Sequence, residues 1–276
     1  MRLNWLVTVL VALCGMAQAS FVTISHAGNA ADLSTGYGAV GYTYQISATE
    51  VTIAEFQRAT GAGNGNENFW NDGTRTVGTA APASYVSLYE AMKYCNWLTS
   101  GNIDNGAYVF SGGVYQSTDR ASAVTTYGTV YALPTENEWY KAAYFKTDAS
   151  GYSLYANGID TVPVAGTDAN YNQAKAIGTP WSAGSGTAEQ NGTYDMMGNV
   201  GEWMEDFNGT LRGGTYGSDE IFLRSSGNLS FGPSNERSSS GFRVVAIPEP
   251  ATALSLVLGG LIITGYRRLR KSYGHF

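Results

Sequence analysis

The sequence predicts a mixed domain of short helices and short strands that is low in regular secondary structure. In the first half of the chain, three amphipathic segments follow residues that favour helix N-caps, and mainly short strand patterns come after them. The chain also has 35 glycines among its 276 residues, which indicates many turns and many backbone positions with positive φ. Together these observations predict short elements joined by long loops.

The first predicted elements are a strand followed by a helix. Residues 42–50 alternate aromatic or β-branched residues with polar ones, which is typical of a strand. Thr52, with Glu55 three residues later, has the pattern of a capping box and predicts a helix that begins directly after it. Residues 61–73 are rich in Gly and Asn and predict a loop.

Two further helices are predicted from the same kind of signal. Ser87 or a neighbour caps an amphipathic helix over residues 88–98. Thr135, with Glu138 at position N3, precedes the apolar run 139–145 and predicts the next helix. The positions of the earlier helix that we expect to face inward are Met92, Cys95 and either Leu98 or Trp97.

The remaining pattern consists of loops and short strands. Residues 99–131 form a polar insertion rich in Gly, Ser and Thr, with a predicted hairpin around residues 108–115. Beyond Lys146 no helical periodicity is sustained for long. Short strands are predicted within residues 192–207, 209–216 and 241–246.

The N-terminus has the pattern of a secretory signal peptide. Met1-Arg2 leads into the apolar run 6–13, which is too short to span a bilayer, and Ala17-Gln18-Ala19 follows it. We expect signal peptidase to cleave after Ala19, so that the signal peptide is residues 1–19. The alternative is a buried N-terminal helix, for which residues 20–41 offer no helical partner.

The C-terminus, residues 247–276, combines three features. Pro248-Glu249-Pro250 precedes the apolar residues 251–266, and the basic residues of 267–271 follow them. As a helix the apolar segment would be about 24 Å long, somewhat shorter than the hydrocarbon core of about 30 Å. The basic end would stay on the cytoplasmic side by the positive-inside rule.

These three features resemble a PEP-CTERM sorting signal, which occurs in exopolysaccharide-making Gram-negative bacteria. The resemblance implies an inner-membrane-anchored precursor that an exosortase cleaves near Pro-Glu-Pro. The product would reach the cell envelope, the cell surface or the extracellular matrix. The alternative is a permanent anchor with a single transmembrane helix.

The domain between these ends, residues 20–246, is acidic and has one cysteine. It contains eleven basic and twenty-one acidic residues, a formal net charge of −10. Such a charge excludes nucleic acid as a partner, because nucleic-acid binding needs clustered Lys and Arg. Cys14 leaves with the signal peptide, so that Cys95 has no cysteine to pair with inside the chain.

Six sequence blocks, in this order, resemble the formylglycine-generating enzyme or sulfatase-modifying factor family (FGE-sulfatase). They lie at residues 48–52, 91–98, 133–139, 194–203, 211–214 and 241–244, and are therefore spread over nearly all of the domain. The resemblance implies an α+β domain of the C-type-lectin-like type. Fold does not imply function, which depends on the residues of the site.

The residues that the family uses for its chemistry are missing. The resemblance implies a copper(I) site made by two cysteines shortly after the Arg-Gly-Gly block, and no cysteine follows that block here. We therefore expect no copper, and we expect Cys95 to be an inert packing residue. The only histidines, His26 and His275, belong to no ligand cluster, which gives no support to non-haem iron.

A calcium site is the metal site that the resemblance leaves open, since calcium prefers oxygen ligands of this kind. A second family site maps only to Asn170 and Tyr171, without the expected acidic residue downstream. For the first site, the alternative is a set of hydrogen bonds from loop amides to the two carboxylates without any metal. The predicted ligands of the first site are Asp195, Gly198, Val200 and Glu202.

Residues 215–240 are predicted to form a binding surface, because Ser, Asn and Gly alternate there with aromatic residues. Arginines nearby either bind an anionic ligand or hold loops by hydrogen bonds to carbonyls and buried acids. The candidate ligand-binding residues are Arg212, Tyr216, Arg224, Phe231 and Arg243.

Two functions remain open. The first is a non-catalytic surface or matrix domain that binds a polysaccharide or a protein partner through residues 215–240. The second is an oxidase of the formylglycine-generating type with altered chemistry, in which Cys95 would matter. The missing copper cysteines favour the first.

Overall fold

The computed structural model describes residues 20–59, 61, 77–174 and 178–248. The predicted signal peptide, the apolar and basic parts of the sorting tail and most of the predicted loop 61–73 lie outside these residues. None of the helices in the described part has the length and apolar character needed to cross a membrane.

The described chain is a mixture of helices and strands, as predicted. The helices are α1 (Ile53–Phe56), α2 (Leu88–Ser100), α3 (Arg120–Tyr127) and α4 (Glu136–Tyr144), and a 3-10 turn spans Glu220–Leu223. The strands are β1 (Phe21–Ile24), β2 (Tyr44–Ser47), β3 (Tyr108–Ser111), β4 (Val114–Thr118), β5 (Val130–Ala132), β6 (Gly201–Trp203), β7 (Thr210–Arg212), β8 (Leu229–Ser230), β9 (Ser240–Gly241) and β10 (Val245–Ile247).

One sheet joins the two ends of the domain. Its strand order is β1-β2-β10-β5, and all neighbours are antiparallel. Val245 of β10 lies opposite Ile46 of β2 on one side and Ala132 of β5 on the other. These three residues are buried, so that the sheet packs one face against the core.

A second sheet has the order β8-β7-β6-β9. Its strands are antiparallel except for β6 and β9, which are parallel. β9 belongs to this sheet and β10 to the first, so that the predicted strand over residues 241–246 is in fact split. The residues between the two strands pass from one sheet to the other.

The predicted helix caps are confirmed. Thr52, Ser87 and Thr135 each accept a hydrogen bond from the N3 backbone, and each N3 glutamate bonds back to the cap. The chemistry is local, which explains why the sequence shows it. The helix after Thr52 is only one turn long.

The insertion over residues 99–131 contains the predicted hairpin, β3 and β4, and also two elements that the pattern did not indicate. These are α3, capped by the side chain of Asp119, and β5. Helix α3 is rich in Thr and Ser and only weakly amphipathic, so that its sequence carries little helical signal.

Arg120 at the start of α3 ties the insertion to the core. Its guanidinium bonds both oxygens of Glu138, at 3.0 and 3.1 Å, and Glu205 Oε2 at 2.9 Å. The hydroxyl of Tyr42 donates to Glu138 at 2.7 Å, and that of Tyr108 donates to Glu205. One cation thus compensates two carboxylates, a buried one on α4 and a partly buried one in the loop after β6.

We expect Arg120→Ala to destabilise the domain by about 3 kcal/mol, because it leaves two carboxylates without a cation. Urea unfolding at pH 7 measures the loss, and hydrogen exchange should show faster exchange in α3 and β3. Lys146→Ala, which removes a partly exposed cation, is the control and should change stability by less than about 0.5 kcal/mol. Unchanged exchange in α3 would contradict this role of Arg120.

Candidate functional site

The predicted site residues lie in two regions, a buried cluster around Arg243 and the loops of residues 215–240. Arg243 lies between β9 and β10, at the point where the chain passes from one sheet to the other. Glu202 is the central residue of β6. Both side chains are almost completely buried, with 0 and 1% exposure.

Arg243 and Glu202 form a bidentate ion pair. Arg243 Nε lies 2.6 Å from Glu202 Oε2, and Nη2 lies 2.7 Å from Oε1. Trp139 of α4 donates its indole N–H to the same Glu202 Oε2 at 2.6 Å. The remaining guanidinium hydrogens reach the carbonyls of Ser47, Ala48 and Tyr194, at 2.9 to 3.2 Å.

Asp195 is held by a different set of donors. Its carboxylate accepts from the indole N–H of Trp181 at 2.9 Å. It also accepts from the backbone N–H of Gly184 at 2.6 Å and of Gly186 at 3.3 Å. Asp195 itself has a left-handed φ of 57°, which a short polar side chain tolerates better than most.

The four predicted calcium ligands are Asp195, Gly198, Val200 and Glu202, and the two carboxylates among them face N–H donors in this arrangement. All the oxygens of Asp195 and Glu202 accept hydrogen bonds from N–H groups, and a guanidinium lies against Glu202. Within the described residues, no group of three or more His, Cys, Asp or Glu side chains is arranged to hold a metal ion. The hydrogen-bonded alternative describes this geometry.

Gly198 and Asn199 shape the turn between Asp195 and Glu202. A Cβ on Gly198 would lie 2.2 Å from the carbonyl oxygen of Asn170, so that only glycine fits there. The Asn199 side chain accepts from the backbone N–H of Trp181 at 2.9 Å and donates to Glu50 at 3.0 Å. The turn is thus fixed by packing and by buried hydrogen bonds.

The partial second site contains an unsatisfied oxygen. Asn170 donates its amide to Thr179 O and to Asn199 Oδ1, at 3.0 and 3.2 Å. Tyr171 donates its hydroxyl to Pro163 O at 2.6 Å. In the described part of the chain, the buried side-chain atoms without a hydrogen-bond partner are Glu50 Oε2, Asn170 Oδ1 and Ser240 Oγ.

Three more acids surround the ion pair, and burial dominates their titration. It raises the pKa of Glu50 well above its usual range, and the nearby Asp195 and Glu202 act in the same direction. Burial also raises the pKa of Asp195, and it raises that of Glu189 to about 8 although Arg243 and Thr193 act against it. One guanidinium cannot compensate all these carboxylates, so that neutral forms are favoured.

Arg212 is also committed inside the fold. It binds Glu136 of α4 through Nε at 2.9 Å and through Nη2, and it donates to the carbonyls of Ser225 and Gly227. Its guanidinium lies 4.9 Å from the ring centre of Tyr37. Its side chain is 1% exposed, so that it holds the loops after β7 from within.

Arg224 differs from Arg212 and Arg243, because its side chain is 38% exposed. Its Nε donates to the hydroxyl of Tyr155 at 3.1 Å, and Glu220 lies 4.0 Å from Nη2. Of the three candidate arginines, it is the one that can reach a ligand from solution.

The loops of residues 215–240 present Tyr216 and Phe231 at a mostly exposed polar surface. The Tyr216 hydroxyl lies 3.0 Å from Ser238 Oγ, and the guanidinium of Arg237 lies 4.0 Å from the centre of the Phe231 ring. Both aromatic side chains are therefore held in place while remaining partly exposed. The neighbouring exposed residues include Asn228, Ser230, Ser234, Asn235 and Arg237.

Cys95 and His26, the two remaining residue types that could take part in catalysis or metal binding, lie in separate parts of the fold. Cys95 is fully buried on α2, and burial raises the pKa of its thiol well above the usual range, which disfavours the reactive thiolate. His26 is exposed, with its ring 5.9 Å from that of Phe145. His275 lies outside the described residues.

Sequence reasoning missed several residues that shape these regions. The sequence predicts Glu138 only as a capping residue and Glu136 only as part of the block at residues 133–139, although their carboxylates bind Arg120 and Arg212. Glu50 and Asn199 lie inside the recognised blocks, but only the fold shows that they meet. Arg237 could have been suspected from its position six residues after Phe231 in a loop of otherwise short side chains.

Comparisons with known proteins agree with this architecture. A family model described as "Sulfatase-modifying factor enzyme 1-like domain" (FGE-sulfatase) matches residues 38–247. No curated protein matches the chain at a significant level.

Three solved structures are similar to the chain. Variable protein 1 of Treponema denticola is 20% identical with a TM-score of 0.60, over 83% of this chain and 95% of that one. CarF is 20% identical with a TM-score of 0.57, over 84% of this chain and 99% of that one. PvdO from Pseudomonas aeruginosa is 19% identical with a TM-score of 0.50, over 77% and 82%. At these identities the similarity shows the fold alone.

Calcium and chelators should leave the unfolding temperature unchanged within about 1 °C, because a ligand that does not bind the native state adds no stability. Calorimetry of the full chain in calcium and in EDTA measures this, with magnesium as the ionic-strength control. A saturable rise with calcium that is lost in Asp195→Asn would support the predicted calcium site.

Stability should fall as the pH rises from about 4.5 to about 8, since Glu189 has a higher pKa in the folded than in the unfolded state. The protonated carboxyl favours the fold, and this contribution is fully present below about 4.5 and lost as the pH passes through about 8. Glu189→Gln should remove about 3 to 5 kcal/mol of the change in unfolding free energy between pH 5 and 8. Denaturant titrations measure it. Asp148→Asn, at an exposed acid, should leave the slope unchanged, and an unchanged slope in Glu189→Gln would contradict the prediction.

Proposed function

This chain belongs to the FGE-sulfatase domain family, and we propose that it is an exported, non-catalytic member that binds a polysaccharide or a protein partner through residues 215–240. The observation that carries the proposal is the contrast between its two regions. The strongly polar groups of the core bind one another, whereas the loops of residues 215–240 offer exposed polar side chains beside anchored aromatic rings.

The burial of the reactive side chains supports a binding role. Cys95 is buried and protonated, and Arg243 with Glu202 makes a closed ion pair. An acyl, redox or hydrolytic mechanism needs a nucleophile, an acid or a base that reaches the substrate. Cys95, Arg243 and Glu202 do not meet that need, because each lies in the core.

The loop surface has the chemistry of an adaptable binding face. Tyr216 and Phe231 supply aromatic contact area, and each is fixed by a neighbour, Ser238 or Arg237. Rings that are already ordered lose little conformational entropy on binding. Short exposed Ser and Asn side chains can adapt hydrogen bonds to the hydroxyls of a polysaccharide or to a peptide backbone.

The two ends of the chain support delivery outside the cytoplasm. The signal-peptide pattern of residues 1–19 implies processing by signal peptidase, and the tail from Pro248 onward implies an inner-membrane precursor and processing by an exosortase. A binding domain delivered to the envelope, the surface or the matrix would meet polysaccharides and surface proteins there.

Phe231→Ala combined with Asn228→Ala and Asn235→Ala should weaken binding to the polysaccharide or protein partner by about tenfold or more. The reason is that anchored aromatic residues carry much of the binding energy of such surfaces. The assay is binding of the full chain to a polysaccharide array and to purified matrix fractions of an exopolysaccharide-producing bacterium. Unfolding midpoints of variant and wild type are compared to show that folding is intact.

The matched control replaces exposed polar residues on the hairpin side, Gln116→Ala with Asn105→Ala, and should bind like the wild type. Binding that survives the loop substitutions but fails in the control would contradict the proposed surface. Oxygen consumption with a cysteine-containing peptide and added copper, lost in Cys95→Ser, would contradict the non-catalytic role and favour the altered oxidase.

A further inference from the structure

A small cleft lies between α1, the C-terminal half of α2 and the edge strands β1 and β5, away from the loops of residues 215–240. Its volume is about 200 Å³. This is below the range of about 300–1,000 Å³ for pockets that take drug-sized ligands, so that the cleft has room for a single ring. Its principal lining residues are Phe21, Glu55, Arg58, Tyr94, Trp97 and Tyr131.

The aromatic side chains of this α1–α2 cleft are fixed by their neighbours. The Tyr94 ring is stacked on Phe56, with 5.6 Å between centroids, and its centroid lies 6.0 Å from that of Trp97. The rings of Phe21 on β1 and Tyr131 on β5 also lie close together, with 5.7 Å between their centroids. Tyr94 is almost completely buried, whereas the other three rings are partly exposed and form walls that a flat ligand could stack on.

The cleft also contains charged and polar groups of both kinds. Arg58, just after α1, places its guanidinium 5.7 Å from the centre of the Trp97 ring. Glu55 of α1 adds a carboxylate, of which Oε2 accepts hydrogen bonds from Thr52. Within the described residues, neither the Tyr94 hydroxyl nor the Trp97 indole N–H makes a hydrogen bond. Donors and an acceptor thus surround aromatic faces in a space for one ring.

We infer that the α1–α2 cleft binds a pyranose ring of a saccharide. A pyranose has apolar C–H faces that pack on aromatic rings, and hydroxyls around its edge that need donors and acceptors in the same small space. A purely apolar ligand would leave Glu55 and Arg58 desolvated without new partners, which costs binding energy. An inorganic anion would make no use of the aromatic walls, and a cation would be repelled by the guanidinium of Arg58 beside Trp97.

The cleft is separate from the proposed binding surface. Pro233 in the loop accepts a hydrogen bond from Leu88 at the start of α2, at 3.0 Å. Trp97 lies nine residues further along α2, which corresponds to about 14 Å at 1.5 Å per residue. The inference therefore does not depend on the function proposed for residues 215–240.

Saturation-transfer NMR on the full chain tests whether the α1–α2 cleft binds a pyranose. The probes are glucuronate and the methyl glycosides of glucose, galactose and mannose. At least one probe should receive saturation at its ring C–H protons. Its affinity should fall about tenfold in Trp97→Ala and about threefold in Trp97→Phe, which keeps the ring and loses the N–H donor. Binding of glucuronate alone would identify Arg58 as the selecting group.

The controls separate this site from the others. Tyr127→Ala, at an exposed aromatic residue on α3, and Phe231→Ala in the loops should both bind like the wild type. Cyclohexanol tests for a purely apolar cleft, and binding as strong as that of the pyranosides would overturn the inference. So would the absence of binding in the folded wild type, or binding that Phe231→Ala abolishes and Trp97→Ala does not.

Discussion

The fold depends on the buried ion pair between Arg243 and Glu202. Arg243 lies where the chain passes from one sheet to the other, and Glu202 is at the centre of the second sheet. Other donors of Arg243 reach carbonyls at the end of β2 in the first sheet, and Trp139 of α4 donates to Glu202. One ion pair therefore joins both sheets and a helix. Removing either partner would leave a buried charge unpaired, which costs several times more than a surface contact.

A buried charge of this kind limits what can surround it. Glu50, Glu189 and Asp195 share the field of a single guanidinium, and burial favours the neutral form of each. These buried acids are therefore stabilised by hydrogen bonds or by protonation of their carboxyl groups. A similar arrangement occurs around Arg120, where one cation pairs with both Glu138 and Glu205. Long-range ion pairs thus connect the short helices and strands to one another.

The local parts of the structure were predictable and the long-range parts were not. Thr52, Ser87 and Thr135 cap helices through bonds that span three residues, so that the sequence shows them directly. The strand predicted over residues 241–246 is split, because the chain passes from the second sheet to the first on either side of Arg243. At the candidate site, sequence reasoning found Glu202 and Arg243, but their pairing across 41 positions needed the fold. Helix α3 was missed because its Thr-rich sequence has weak periodicity, and it is held by the ion pair at Arg120.

These constraints indicate where function can lie in such a domain. Core side chains whose donors and acceptors are all paired cannot bind a substrate without breaking bonds that hold the fold. Binding therefore has to use surface residues that do not take part in these bonds. The loops of residues 215–240 meet this condition, since Arg212 holds their start from below while their outer residues stay exposed. The α1–α2 cleft meets it as well, because Trp97 and Arg58 lie at its rim. A rigid, ion-paired interior with replaceable outer residues can change its ligand without changing its fold.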